Sequence, residues 1–331
     1  MKKEFIIVLC GLILISTGLR GQLPKVVASA SIFEDMASHL GKELIETASV
    51  VPIGGDPHVY EPTPSDAVLV ANADLILING LTFEGWINEL AENSGTNGRL
   101  ILITEGIKPI ASEQYKGASD PHAWMDAKNG IIYAQNISKA LQEIDPENKE
   151  KYQQYLSDYI DQLKELDRYI EQEITSIPEQ QRVLITSHDA FAYYGKRYGI
   201  KLSAIMGIST DAEAQTSDII RVTETIKKSG VPAIFIESTI NPKLLQQIAK
   251  DNNVKIGGEL FADSIGDKDS EGHGYIEMLR YNTDVIVGAL ARNELSNTKL
   301  DQDSDSSNWL LYSILALFMI GSLVYLILKF R

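Results

Sequence analysis

From residue 25 to residue 293 short apolar runs alternate with stretches of helical periodicity, and this alternation constrains the chain more than any other feature. Runs at 26–29, 46–51, 75–79 and 100–102 read as strands, and 32–40 and 84–93 read as helices between them. A strand such as Leu75-Ile76-Leu77-Ile78 is apolar on both faces, so it belongs in a parallel sheet covered by helices on both sides. The same grammar resumes at 182–186, 201–205, 233–237 and 254–256. The expected fold class is therefore α/β, with two parallel-sheet lobes over 25–145 and 181–293.

The segment between the lobes differs. Residues 146–177 contain no glycine, and Tyr152, Tyr155, Leu156, Tyr159, Leu163, Leu166, Tyr169, Ile170 and Ile174 recur three to four apart until Pro178. The spacing predicts one long helix of about 45 Å joining the lobes as a spine.

Both ends of the chain carry apolar runs outside this pattern. Met1-Lys2-Lys3-Glu4 followed by the run 5–15 reads as a secretory signal ending near residue 21. Cys10 sits inside that run behind Leu9, where lipid attachment would want a small residue, so it reads as part of a discarded signal. At the other end an acidic linker, 294–308, leads to the uncharged run 309–328. Its length of about 30 Å, with Trp309 and Tyr312 at one rim and Lys329 and Arg331 beyond the other, predicts a C-terminal transmembrane helix. Together the ends predict an exported domain tethered to the outer face of the cytoplasmic membrane.

Forty-five acidic against 30 basic side chains give a net charge of −15, which would repel a phosphate backbone and excludes nucleic acid as a partner. The single cysteine can form neither an internal disulfide nor a cysteine-based metal site, so any metal must be held by imidazole and carboxylate. That makes the placement of the five histidines informative. His58 and His122 both occur in Asp-Pro-His, at 56–58 and 120–122, and His188 follows the strand 182–186 directly. All three lie at the carboxyl edges of parallel strands, where α/β sheets bind ligands. A neighbouring aspartate can take the second imidazole N–H and fix the tautomer. For a fourth ligand Asp263, after the strand 254–256, suits the role, and Glu237 at the end of its own strand is the rival. His273 in a polar loop and His39 on the first helix carry no such motif. Trp124, Phe191 and Tyr60 are candidates for walling the site from water.

Several of these segments carry a resemblance. Asp-Pro-His-Val-Tyr-Glu-Pro-Thr-Pro-Ser-Asp (56–66), Asp-Pro-His-Ala-Trp-Met-Asp (120–126), Thr-Ser-His-Asp-Ala-Phe-Ala-Tyr-Tyr-Gly (186–195), Gly-Ile-Ser-Thr-Asp-Ala-Glu-Ala (207–214), Asn241-Pro242-Lys243 and Phe261-Ala262-Asp263-Ser264 occur in this order. The chain resembles the metal-binding receptors, or solute-binding proteins, of bacterial zinc, manganese and iron ABC importers, of the cluster A-I type. The resemblance implies one divalent ion between the lobes, held by His58 and His122 from the first and His188 and Asp263 from the second. It also implies an ABC permease and its ATPase as partners. Manganese receptors of this family often have Glu where this chain has His188, and three imidazoles with one carboxylate suit tetrahedral Zn(II). The stretch 106–120 lacks the histidines that zinc-specific relatives often carry there. Zinc is therefore expected as cargo, with Mn(II) next and Fe(II) behind it. Two other readings compete. One is an exported zinc-dependent hydrolase with Asp189 or Glu237 as base, disfavoured because four protein ligands leave no open position for water and no His-Glu-x-x-His helix is present. The other is a metal-stabilised adhesin.

Overall fold

The computed structural model describes residues 22–111, 117–291, 326 and 328–330. Four short strands, β1 (Lys25–Ala28), β2 (Glu46–Ser49), β3 (Leu75–Ile78) and β4 (Arg99–Leu102), form one parallel sheet in the order β2-β1-β3-β4. Helices α1 (Ser31–Gly41), α2 (Pro64–Ala71), α3 (Ile87–Ser94) and α4 (Ala127–Ile144) belong to this half. Leu75, Ile76 and Leu77 are all fully buried, as an apolar strand inside a parallel sheet must be.

A turn at Pro146–Asn148 leads into α5 (Lys149–Ser176), 28 residues and so about 42 Å long. Tyr152, Tyr159, Leu163, Leu166, Ile170 and Ile174 form its buried stripe, while Tyr155, Leu156 and Tyr169 are half-buried beside it. The helix packs on α1 and α4 of the first half, and on α6 (Ala192–Tyr198) and α9 (Tyr275–Leu290) of the second. Asp167 lies buried within the stripe, where it takes both Arg197 Nε and Nη2, at 3.0 and 2.7 Å, and the Tyr198 hydroxyl at 3.2 Å.

The second half holds β5 (Val183–Thr186), β6 (Lys201–Ala204), α7 (Thr216–Ser229), β7 (Ala233–Glu237), α8 (Lys243–Asp251) and β8 (Lys255–Leu260). Its strands pair as two two-stranded parallel ribbons, β5 with β6 and β7 with β8, with β7 lying beside β5. β8 runs further than the apolar residues 254–256 suggest, because Gly258, at φ +155, lets the strand bulge and resume pairing as far as Leu260. One apolar cluster runs without a break from Val26 in β1 through α1, α4 and α5 to Leu290 in α9.

The membrane helix expected over 309–328 is corrected. Among the described residues no helix is long and apolar enough to cross a membrane. An uncharged run of the right length matches a bilayer's thickness but does not by itself make a continuous helix. Almost all of that segment, the linker 294–308 and the signal 1–21 lie outside the described residues. The described fold is α/β with parallel sheets and one long helix between its halves.

Candidate metal centre

Asp-Pro-His builds the same turn twice. Asp56 Oδ1 accepts the His58 main-chain N–H at 2.9 Å, and Asp120 Oδ1 accepts that of His122 at 2.8 Å. At His122 the same Asp120 oxygen also lies 2.8 Å from ring Nδ1, which turns Nε2 into the site. At His58 the aspartate does something else: its Oδ2 accepts the hydroxyl of Thr210 at 2.5 Å. His188 follows β5, and the end of the neighbouring β7 brings Glu237 against it. Glu237 Oε1 accepts the His188 main-chain N–H at 2.9 Å, and its Oε2 lies 2.6 Å from Nδ1. Asp263 comes three residues after β8, on a loop whose Ala262 carbonyl accepts the Trp124 indole N–H at 3.0 Å.

These four side chains converge. One ligand atom from each of His58, His122, His188 and Asp263 lies within 4.8 Å of all the others. His122 Nε2 is 3.2 Å from His58 Nε2 and 3.3 Å from His188 Nε2. Asp263 places Oδ1 3.3 Å from His122 Nε2 and Oδ2 3.2 Å from His188 Nε2, with His58 Nε2 further off at 4.0 Å. The edge of a zinc tetrahedron with Zn–N bonds of 2.0–2.1 Å is about 3.3–3.4 Å; the two separations between imidazole nitrogens match such an edge, while Asp263 meets His122 and His188 with different oxygens. Both Asp263 oxygens are buried, and each faces an imidazole nitrogen. A desolvated carboxylate facing three imidazole nitrogens is a ligand set that fits a divalent cation.

The electrostatics agree. Burial pushes His58 down to about 3. Burial also pulls on His122, but Asp120 and Asp263 outweigh it and hold the ring up at about 9. For His188 burial is likewise outweighed, by Glu237 and Asp263, and the ring is held well above its ordinary value. Burial would raise Asp263, yet His188 and His122 hold it well below the usual carboxylate range. Protons on two rings thus balance the buried carboxylate, and a cation arriving there must displace them.

Of the sequence-proposed groups, the structure brings the four together and puts Glu237 behind His188 rather than among them. Asp189 lines a neighbouring cavity of about 570 Å³ with Asp120 and Arg221. Trp124 does wall the site, its ring 5.3 Å from that of His122. Phe191 packs on Tyr194, and Tyr60 turns away to Trp86 and the Asp66 carboxylate. His39 bonds to Asp35 on its own helix and His273 to Ser270 in its loop.

Sequence reasoning missed the floor of the site. Phe83 stands edge-on to His58, with ring centroids 5.0 Å apart. It is set there by a loop in which Gly80, Leu81 and Thr82 all have positive φ, a conformation costly for the last two. Glu84, buried, holds the loop by accepting Ser29 Oγ at 2.8 Å, Asn79 N at 2.5 Å and Gly80 N at 3.1 Å, and burial pushes its carboxyl up to about 7. Asn79 Nδ2 in turn donates to the Pro121 carbonyl at 3.0 Å, beside His122. The available signal was Glu84 itself, the first acidic residue after the apolar strand, set next to Phe83.

Known proteins are similar to this chain in sequence and fold. The manganese ABC transporter substrate-binding lipoprotein PsaA of Streptococcus mitis is 38% identical over 280 residues, covering 82% of this chain and 91% of that protein. The metal ABC transporter substrate-binding lipoprotein SsaB of Streptococcus sanguinis is 37% identical over 276 residues, covering 81% and 89%. Among solved structures, the periplasmic zinc-binding protein TroA from Treponema pallidum matches with a TM-score of 0.78 and 32% identity, over 82% of this chain and all of that one. A Mn-bound periplasmic metal-binding protein from Candidatus Liberibacter asiaticus matches at 0.74 and 30%, over 81% and 99%. Fold and site define a metal-binding receptor of the ABC import class, a binding protein and not an enzyme, which removes the hydrolase reading. The chain belongs to the ZnuA family, the periplasmic component A of the zinc-uptake complex, whose sequence model matches residues 26–289.

Proposed function

We propose that His58, His122, His188 and Asp263 are the ligands of one divalent cargo ion, that the ion is Zn(II), and that 25–145 and 181–293 act as lobes closing on it about the spine 146–177. The receptor works on the outer face of the cytoplasmic membrane and hands its ion to an ABC permease driven by an ATPase. The convergence carries the reading: one ligand atom from each of the four lies within 4.8 Å of all the others, and a fully buried carboxylate is costly unless positive charge completes it. Two ligands come from each half, so a bound ion bridges the cleft and favours closure, and a permease that parts the halves lowers its affinity. Three imidazoles favour zinc over manganese in the Irving–Williams order. Mn(II) is the second reading, favoured by relatives named as manganese receptors; Fe(II) stands behind both. Competition titration of the chelator-stripped protein with Zn(II), Mn(II) and Fe(II) tests this. One Zn(II) per chain, bound in preference to the others, is expected, and preference for Mn(II) overturns the choice of ion.

A further inference from the structure

The segment 207–214 belongs to the family pattern yet supplies no ligand, and the structure gives one of its residues a task. Thr210 lies between β6 and α7 in the second half, and its hydroxyl donates to Asp56 of the first half, 154 positions away, at 2.5 Å. Asp56 holds the His58 main chain with its other oxygen. The Thr210 loop is itself joined to the His188 turn, through Asp189 N to the Gly207 carbonyl at 3.1 Å and Met206 N to the Ser187 carbonyl at 2.9 Å. Hydrogen bonds therefore run across the cleft from the turn of His188 to the turn of His58. A second tie crosses at Gly54 N, which donates to Ser264 Oγ at 2.8 Å, next to Asp263.

His58 is the ligand that most needs such ties. All four side chains are buried, and His122, His188 and Asp263 have mutual contacts of 3.2 and 3.3 Å; His58 shares a 3.2 Å contact with His122 alone and stands 4.0 Å from Asp263. Asp120 and Glu237 steady the rings of His122 and His188, but Asp56 reaches across to Thr210 instead of to the His58 ring. The His58 ring rests on Phe83 and His122 of its own half, while the aspartate that holds its main chain is tied to the second half.

We propose that Thr210 is a positioning residue for retention of the ion: its hydroxyl holds Asp56 across the cleft, and through Asp56 it keeps His58 in place, so that losing this bond is the first step of release. The inference rests on the ligand set proposed above.

The test uses Co(II) as a spectroscopic probe in the purified chain, with release measured by stopped-flow transfer to excess EDTA. Thr210→Val removes the hydroxyl at nearly constant volume. The expected result is a Co(II) absorption spectrum like that of the wild type and release faster by about tenfold or more, equivalent to ~1.4 kcal/mol. Thr210→Ser, which keeps the hydroxyl, should return release close to the wild-type rate. A merely structural role would lower the metal-free melting temperature and would not separate rate from spectrum. Should the valine variant not fold, Thr210→Ala carries the same comparison. Release within about twofold of wild type, or a changed spectrum, overturns the proposal. A wild-type protein that takes up no Co(II), or a His122→Ala variant with the wild-type spectrum, overturns the ligand set instead.

Discussion

Glu237 shows how much of a binding site can lie behind it. It sits among no ligand atoms, yet it fixes His188 by main chain and ring at once. Glu237→Gln keeps one acceptor and turns an amide N–H toward Nδ1, so zinc affinity should fall about 10–100-fold in competition titration, with the fold unchanged. His39 gives a second residue-scale expectation, remote from the site. The hydrogen bond to Asp35 holds its ring up at about 9, against an unfolded value of ~6.5. Protonated His39 therefore stabilises the fold fully below pH ~6.5, and that contribution is lost as pH rises through about 9. Thermal melts of the metal-free protein should place His39→Gln below wild type at pH 6 and level with it at pH 10. The ring is 45% exposed, so the difference will be small. Of this residue-scale picture, three histidines were legible in the sequence because proline and strand ends marked them locally. Thr210 and Glu84 were not, because each matters through contacts that only the folded chain makes.

Elements were legible where their pattern is local. The stripe of α5 could be read from its three-to-four spacing, since a helix face depends on near neighbours alone. Asp167 within that stripe could not, since a charge there makes sense only once α6 supplies Arg197 and Tyr198. Asp167→Ala should lower stability by ~2–3 kcal/mol in urea unfolding, because it leaves a mostly buried guanidinium and a phenol without their acceptor. The loop after β3 makes a similar case. Glu84→Ala strands two buried donors and a half-buried one and frees a turn held at positive φ, so a loss of ~2–4 kcal/mol is expected in the same measurement. The extension of β8 was hidden because Gly257-Gly258 reads as a break until β7 lies alongside. The apolar run 309–328 set the expectation of a membrane helix by length and composition alone, and among the described residues no helix is long and apolar enough to cross a membrane.

At the scale of the molecule, an ion that binds only the folded chain stabilises it by mass action, by ~4 kcal/mol at a free concentration a thousandfold above its dissociation constant. Saturating zinc should therefore raise the melting temperature, and chelation should reverse the rise. An unchanged melt would mean that the four groups hold no ion. The unbroken apolar cluster from β1 to α9 has a consequence for how the receptor is made. Tyr275, Met278, Leu279, Ile286 and Leu290, near the end of the described chain, complete a core that begins at Val26. A chain made from its amino end cannot close that core until α9 has followed, so the core is completed late. A fragment ending at residue 274 should therefore lack the cooperative thermal transition of the whole protein, because the core it leaves behind is open along the face that α9 covers.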